Sequence, residues 1–314
     1  MITKDKLNFD ELKASEVLPS PKGVALALMN EFKKENLALP ELAQIILGDP
    51  ALAGRIIKLA NYINPNKNRP IASVTVDTLI LIGIQATQQV VLGFSMVMSN
   101  KQGKCNGFNY QKFWSHSVAM ACAAQAIGAV VRTAPVAEIF ICGLLAEIGQ
   151  LGLASARPDA YSKLLEQYAE KPLKELLQAE SDVFGMNSRD LTAAMMVDWG
   201  MPKLFVDAVT FIDDPEASGY KQGSRNRNLI VALQLATQLA DLSTAQDHTR
   251  TEMLPRIFEI CASLNLNAEQ IAAIANQAAR DWKEWGELFN IKMVPAQDDA
   301  SCLISLYQTN EAQA

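Results

Sequence analysis

Apolar residues in this chain recur at helical spacing almost from end to end, and that periodicity confines it to an all-α fold. Val24, Leu28 and Phe32 fall at i, i+4 and i+8, which gathers them on one face of a helix. Leu42, Ile45 and Ile46 repeat the pattern, as do Leu52, Ile56 and Leu59, and later Leu229, Leu233, Ala236 and Ala240. No run alternates apolar and polar residues as a half-buried strand would. Breaking and capping residues punctuate the helices. Pro40 suits a first helical turn, Gly48-Asp49-Pro50 closes that helix, and Asp49 is placed to cap the next. Ser73 is the expected cap of a helix ending at Gly83, followed by one from about Gln85 to Ser99. Further helices are expected over Ala137–Ala154, Tyr161–Tyr168, Leu173–Val183, Arg189–Trp199 and Lys203–Phe211.

A chain of 314 residues can bury a substantial core. The polar stretch from Asp213 to Asn228 is the expected boundary. It leaves a main helical domain over 15–215, a helical C-terminal extension over 225–295 and a mostly polar tail over 296–314. Lys and Arg number 28 against 34 Asp and Glu, a net charge of −6. Nucleic-acid binding needs a concentrated basic surface, so no nucleic-acid partner is expected. Met1-Ile2-Thr3-Lys4-Asp5-Lys6 leads into no apolar run, so no signal peptide is expected. The most apolar segments, Val118 to Val131 and Ile139 to Ala154, are interrupted by Gln125, Glu147 and Gln150. Both read as too short for a membrane span, and a cytoplasmic location is expected. Cys105, Cys122, Cys142, Cys261 and Cys302 are widely spaced and form no CxxC pair. They indicate neither a zinc site nor a disulfide framework.

The most informative local stretch is Phe140-Ile141-Cys142-Gly143-Leu144-Leu145-Ala146-Glu147-Ile148-Gly149, taken with Trp114-Ser115-His116-Ser117 upstream. It resembles the centre of an HD-type metal phosphohydrolase, in which a His-Asp pair would stand at Ala146 and Glu147. Other segments join it in order: Leu18-Pro19-Ser20-Pro21, the run from Leu42 to Leu52, Arg55 to Asn61, Pro70 to Val74, Leu79 to Gly83, and Trp199-Gly200-Met201-Pro202. Over roughly 15–215 this succession resembles the HDOD family, the HD-related output domain of bacterial signalling proteins. The resemblance implies a multi-helix fold and a regulatory role, often alongside sensor kinases or cyclic-dinucleotide enzymes.

The resemblance also lets the catalytic positions be checked one by one. His116 keeps the place of the first ligand. Ala146-Glu147 stands for His-Asp, Ser188 where a histidine often opens the segment, and Ile212 and Asp213 where paired histidines often precede Pro215. A metal centre needs several converging ligands. His116, Ala146, Glu147, Ser188, Ile212 and Asp213 are therefore expected to form a vestigial pocket, with no catalytic residue, no metal and no cofactor. His116 has a plainer reading too, as a hydrogen-bonded structural residue.

Outside that pocket, Arg55, Lys58 and Asn61 share one helix and could meet an anionic ligand or an acidic partner. The alternative is a solvated face with ion pairs to nearby carboxylates. Lys221, Arg225 and Arg227 form a small basic cluster in the boundary loop, and Trp282 and Trp285 are expected to be buried in the C-terminal helices. The expected function is a non-catalytic signalling module that binds unidentified signalling proteins. Dimerisation through the C-terminal helices is compatible with the sequence but does not follow from it. Two alternatives stand beside this: a sensor of a nucleotide or cyclic dinucleotide using the vestigial pocket, and a residual metal-dependent phosphohydrolase.

Overall fold

Helices make up the regular structure of the residues described, which are 6–292 apart from 33, 35, 36, 170 and 246 and the side chains of 247–249. In this computed structural model no strand occurs among them. The chain runs α1 (Phe9–Ala14), α2 (Gly23–Glu31), α3 (Leu39–Leu47), α4 (Pro50–Ile63), α5 (Val76–Ile82), α6 (Ile84–Ser99), α7 (Tyr110–Val131) and α8 (Val136–Leu145). It continues through α9 (Ile148–Ala156), α10 (Pro158–Gln167), α11 (Leu173–Phe184), α12 (Ser188–Asp198) and α13 (Lys203–Thr210). After a 3-10 turn at Pro215–Ser218 come α14 (Arg225–Thr244), α15 (Asp247–Ser263) and α16 (Ala268–Phe289). The expected polar tail over 296–314 lies outside the described residues.

Asp49 caps α4 as its position suggested, its Oδ1 accepting from the N–H groups of Ala51 and Leu52 at 3.0 and 3.1 Å. Some boundaries differ from expectation: α10 starts at Pro158 and not at Tyr161. Thr75, not Ser73, caps α5, through a reciprocal box with Thr78. Ser73 supplies only its carbonyl, which accepts from the Thr78 hydroxyl at 3.0 Å. The single helix expected over Ala137–Ala154 is broken between Leu145 and Ile148, because Glu147 leaves helical geometry at φ −119°, ψ 14°. The break sits at the Ala146-Glu147 pair itself.

The core is built around α7, which packs against α8, α14 and α16. Val118, Met120, Ala121, Cys122, Ala124 and Ile127 on α7 are fully buried. Its many alanines let the three neighbours approach closely, as interior packing density requires. On α16, Trp282 donates from Nε1 to the Ser115 carbonyl at 2.8 Å. Trp285 lies among Phe94, Phe140 and Phe289, with ring centroids 5.3, 4.9 and 5.5 Å away. These tryptophans are buried, as expected, but against α6, α7 and α8 rather than within the C-terminal helices alone. One continuous apolar cluster joins residues from Leu7 to Ile291, so the helices after Asn228 share the core of the preceding segment.

The apolar runs that looked too short to span a membrane are longer than the sequence suggested. Tyr110–Val131 and Val136–Ala156 reach 22 and 21 residues and are long and apolar enough to cross one. In each, 78% of the most apolar window is buried inside the fold. Neighbouring helices thus cover the surface that lipid would otherwise meet.

Candidate functional site

His116 is presented by the second turn of α7, and both of its ring nitrogens meet carboxylates. Nδ1 lies 3.2 Å from Glu147 Oε2 and Nε2 lies 2.9 Å from Asp241 Oδ1 on α14. Burial alone would push this imidazole toward its neutral form. The Glu147 charge, with hydrogen bonds to Asp241 and Glu147, outweighs burial and raises its pKa from an ordinary 6.5 to about 10. At neutral pH it is therefore an imidazolium that donates from both nitrogens.

Glu147 is held in turn from its other side. The break between α8 and α9 turns its side chain inward, where only 11% of it is exposed. Burial would raise its pKa, yet the charge and hydrogen bond of His116, followed by the charge of Arg189, bring it down to about 2. Arg189, one residue into α12, places Nη1 3.6 Å from Glu147 Oε1. The same nitrogen donates to the Ala146 carbonyl at 3.3 Å, an acceptor that the helix break leaves open. Its Nε and Nη2 donate to the two oxygens of Asp213 at 2.9 and 3.3 Å, a bidentate pair. The result is an alternating row of charges: Asp241, His116, Glu147, Arg189, Asp213.

Local structure fixes this geometry. Asn187 caps α12 through a box with Asp190. The Ser188 N–H donates to Glu180 Oε2 at 2.7 Å, and Tyr161 donates its hydroxyl to Glu180 Oε1 at 3.0 Å. Burial raises the Glu180 carboxyl above its ordinary value, with Ser188, Tyr161 and Arg189 acting against it. Gly149 on α9 crosses α12 so closely that a Cβ there would sit 1.9 Å from the Ser188 carbonyl oxygen and 2.7 Å from the Thr192 nitrogen. The Gly149 N–H donates to the Thr192 hydroxyl at 2.9 Å. That crossing brings the start of α12, and Arg189 with it, against the Ala146-Glu147 break.

Of the six pocket positions read from sequence, His116, Glu147 and Asp213 join the charge row, Asp213 only through Arg189. Ala146 contributes a carbonyl, its methyl being fully buried. Ser188 contributes a backbone N–H, and Ile212 is a buried core side chain. A cleft of about 460 Å³ opens over the row, lined by His116, Glu147 and Asp241 together with Lys112, Gln150 and Phe108. Arg189, Asp241 and Glu180 were not foreseen. Arg189 adjoins the substituted Ser188, which is the one hint the sequence offers. Asp241 lies beyond the resembling segment, and no spacing announces it.

The metal that HD-type relatives hold does not fit these residues. Both ring nitrogens of His116 are held by carboxylates at 3.2 and 2.9 Å, and the other oxygen of Glu147 already faces a guanidinium. Among the described residues no group of three or more His, Cys, Asp or Glu side chains is arranged to hold a metal ion.

Arg55, Lys58 and Asn61 do not form one surface. Lys58 pairs with Glu284 at 2.8 Å, and its ammonium lies 4.9 Å from the Trp285 ring centroid. Asn61 uses its amide on both backbone groups of Ile71, each at 2.8 Å. Arg55 is buried instead of solvated, so the open ion-paired face read as the alternative is absent at that position. Arg225 donates to the Thr133 carbonyl and Arg227 pairs with Glu216, and both belong to α14, not to a loop.

Comparison with known proteins places this geometry in context. The family model of the HDOD domain matches residues 18–215. The MmoQ response regulator of Methylococcus capsulatus str. Bath is 31% identical, with 82% of this chain and 97% of that one covered, at a TM-score of 0.51. A Shewanella amazonensis SB2B protein that carries a phosphohydrolase name shares the fold at 20% identity, over 88% of this chain and 98% of that one, with a TM-score of 0.62. An uncharacterised protein of Treponema pallidum (strain Nichols) is 23% identical over 198 residues, which are 62% of this chain. The match spans 37% of that relative's length. A matched segment that runs from the first proline motif through α13, around a helical core with the HD-type positions still identifiable, settles the family: this chain belongs to the HDOD domain family.

Proposed function

We propose that this protein is a cytoplasmic signalling module that acts by binding a regulatory protein and not by turning over a substrate. One observation carries the reading. The guanidinium of Arg189 stands between Glu147 and Asp213, so the positive charge that an HD-type centre takes from metal is supplied here by the chain. Both nitrogens of His116 are engaged by carboxylates, which leaves neither to activate water against a phosphoester. The response-regulator name of MmoQ, at 31% identity, supports a signalling role.

The test is a phosphodiesterase assay on the protein purified without chelator, paired with elemental analysis. The reading expects no turnover of bis(4-nitrophenyl) phosphate with added Mn²⁺, Fe²⁺ or Mg²⁺, and no stoichiometric metal. Turnover that disappears in His116→Ala would restore the residual-hydrolase reading.

The cleft above His116 favours a second reading. At about 460 Å³ it has the size of a small-molecule site, and it presents Lys112 and Gln150 beside the charge row. A nucleotide or cyclic dinucleotide held there without cleavage would raise the melting temperature with occupancy. A nucleotide panel that leaves the melting temperature unchanged removes this reading and leaves the first.

A further inference from the structure

A second cleft, of about 250 Å³, lies between the start of α2, the start of α4 and the end of α6. Arg55 lines it from α4 with 4% of its surface exposed. Its Nη2 donates to the Leu288 carbonyl at 3.0 Å and touches the Met98 sulfur, a weak acceptor, at 3.1 Å. The guanidinium lies 5.1 Å from the Phe289 ring centroid. Its Nε has no hydrogen-bond partner, and no carboxylate of the described residues makes an ion pair with this arginine. Lys101 stands close by and donates to the Phe289 carbonyl. Burial, and then the charge of Arg55, push the Lys101 pKa down. Two cations thus share the carbonyl end of α16, and the Asp49 carboxylate acts on Arg55 through its charge without making an ion pair with it. Buried charges are ordinarily paired, and a buried arginine without a direct ion pair is the exception to explain.

The rest of the cleft supplies what an anion needs. The N-terminus of α2 opens onto it with no capping side chain, so its first N–H groups lack a partner from Lys22. Gly23 there adopts φ +57°, and a Cβ added to it would meet nothing within 4 Å, so space lies open before the helix. Ser95 and Ser99 add hydroxyls and Lys22 adds charge. Asp49 also borders the cleft; its Oδ1 accepts from the N–H groups that begin α4, and its charge partly offsets that of Arg55.

We propose that this cleft binds a phosphoryl group carried on a small apolar body. The guanidinium of Arg55, a helix N-terminus and two hydroxyls approach from different directions, which suits a tetrahedral dianion better than a planar carboxylate. The volume exceeds that of a lone phosphate ion, and Leu52, Val91, Phe94 and Met98 make the remaining wall apolar. The ligand class is therefore a small phosphomonoester. This site is separate from the His116 cleft, and its occupancy does not depend on whether that cleft is silent.

Calorimetric titration of the full chain with phenyl phosphate tests this at about pH 8, where the phosphoryl group is a dianion. Saturable one-to-one binding is expected, with inorganic phosphate weaker. Arg55→Lys, which keeps the charge but loses the guanidinium, and Ser99→Asp, which sets a carboxylate at the exposed mouth, should each weaken binding about tenfold or more. Ser99 is exposed at the end of α6, so that variant remains informative if Arg55→Lys does not fold. Absence of saturable binding by either probe overturns the proposal. So does affinity unchanged in Ser99→Asp, and so does benzoate binding as tightly as phenyl phosphate.

Discussion

Replacing Arg189 with methionine keeps most of the side-chain volume and removes the cation at the centre of the charge row. Three carboxylate or carbonyl partners then lose a donor: Asp213 at 2.9 and 3.3 Å, Ala146 at 3.3 Å and Glu147 at 3.6 Å. Breaking a buried ion pair by removing one partner costs about 3–5 kcal/mol, because the other charge stays desolvated. Two features reduce that figure here. The Asp213 side chain is 46% exposed and regains water, and Glu147 keeps the imidazolium of His116. A loss of about 2–4 kcal/mol remains. Urea denaturation at neutral pH reads it as a lower midpoint with an unchanged slope. The acid side gives an independent check. Glu147, pulled down to about 2, contributes stability that is present above its ordinary 4.5 and lost as pH falls through 2. Without Arg189 that depression relaxes, so the gap between wild type and variant should narrow as pH drops across this window. A midpoint shift worth less than about 0.5 kcal/mol, the range of a neutral surface change, would refute the argument that Arg189 holds the centre together.

Three further expectations follow from the same packing. Gly149→Ala forces a Cβ into the backbone of α12 and should destabilise by about 3 kcal/mol or more, read by thermal melting. A melting point within a degree of wild type would mean that α9 and α12 do not cross as closely as described. Trp285→Ala should cost about 3–5 kcal/mol, with unfolding still a single transition, because that ring lies among Phe94, Phe140 and Phe289. Separate melting of a C-terminal unit would contradict the shared core. His116→Gln should remove stability most at or below pH 6.5, with the loss fading as pH rises through about 10, since a raised pKa stabilises while the proton is held. A deficit that grows toward alkaline pH would show the imidazole to be neutral in the fold.

What could be read from the sequence was whatever local spacing encodes. The periodic leucines and isoleucines of α2, α3 and α4 gave those helices, and Gly48-Asp49-Pro50 gave the boundary between α3 and α4. The HD-like frame around Ala146 and Glu147 gave the family. The helix break at Glu147 escaped because the run from Ile139 to Ala154 is apolar on both sides of Glu147 and contains no proline to mark an end. At the break Glu147 meets His116 and Arg189, contacts that no local pattern reports. Asp241 escaped because it pairs with His116 across 125 residues of chain. Arg55 looked like part of a solvated face because Lys58 and Asn61 accompany it on one helix. Its burial depends on the far end of α16, which no local pattern reports.

The protonation state of His116 tests most directly the proposal that the chain supplies its own cations where HD-type relatives use metal. The chain has two histidines, so long-range ¹H–¹⁵N spectra of imidazole, assigned with His116→Gln, isolate the signal. At about pH 8, well above the ordinary histidine pKa of about 6.5, both ring nitrogens of His116 should still be protonated and should be unaffected by added Mn²⁺ or Zn²⁺. A neutral ring at that pH, or a resonance shifted or broadened by stoichiometric metal, would contradict the account and return His116 to the role of a ligand.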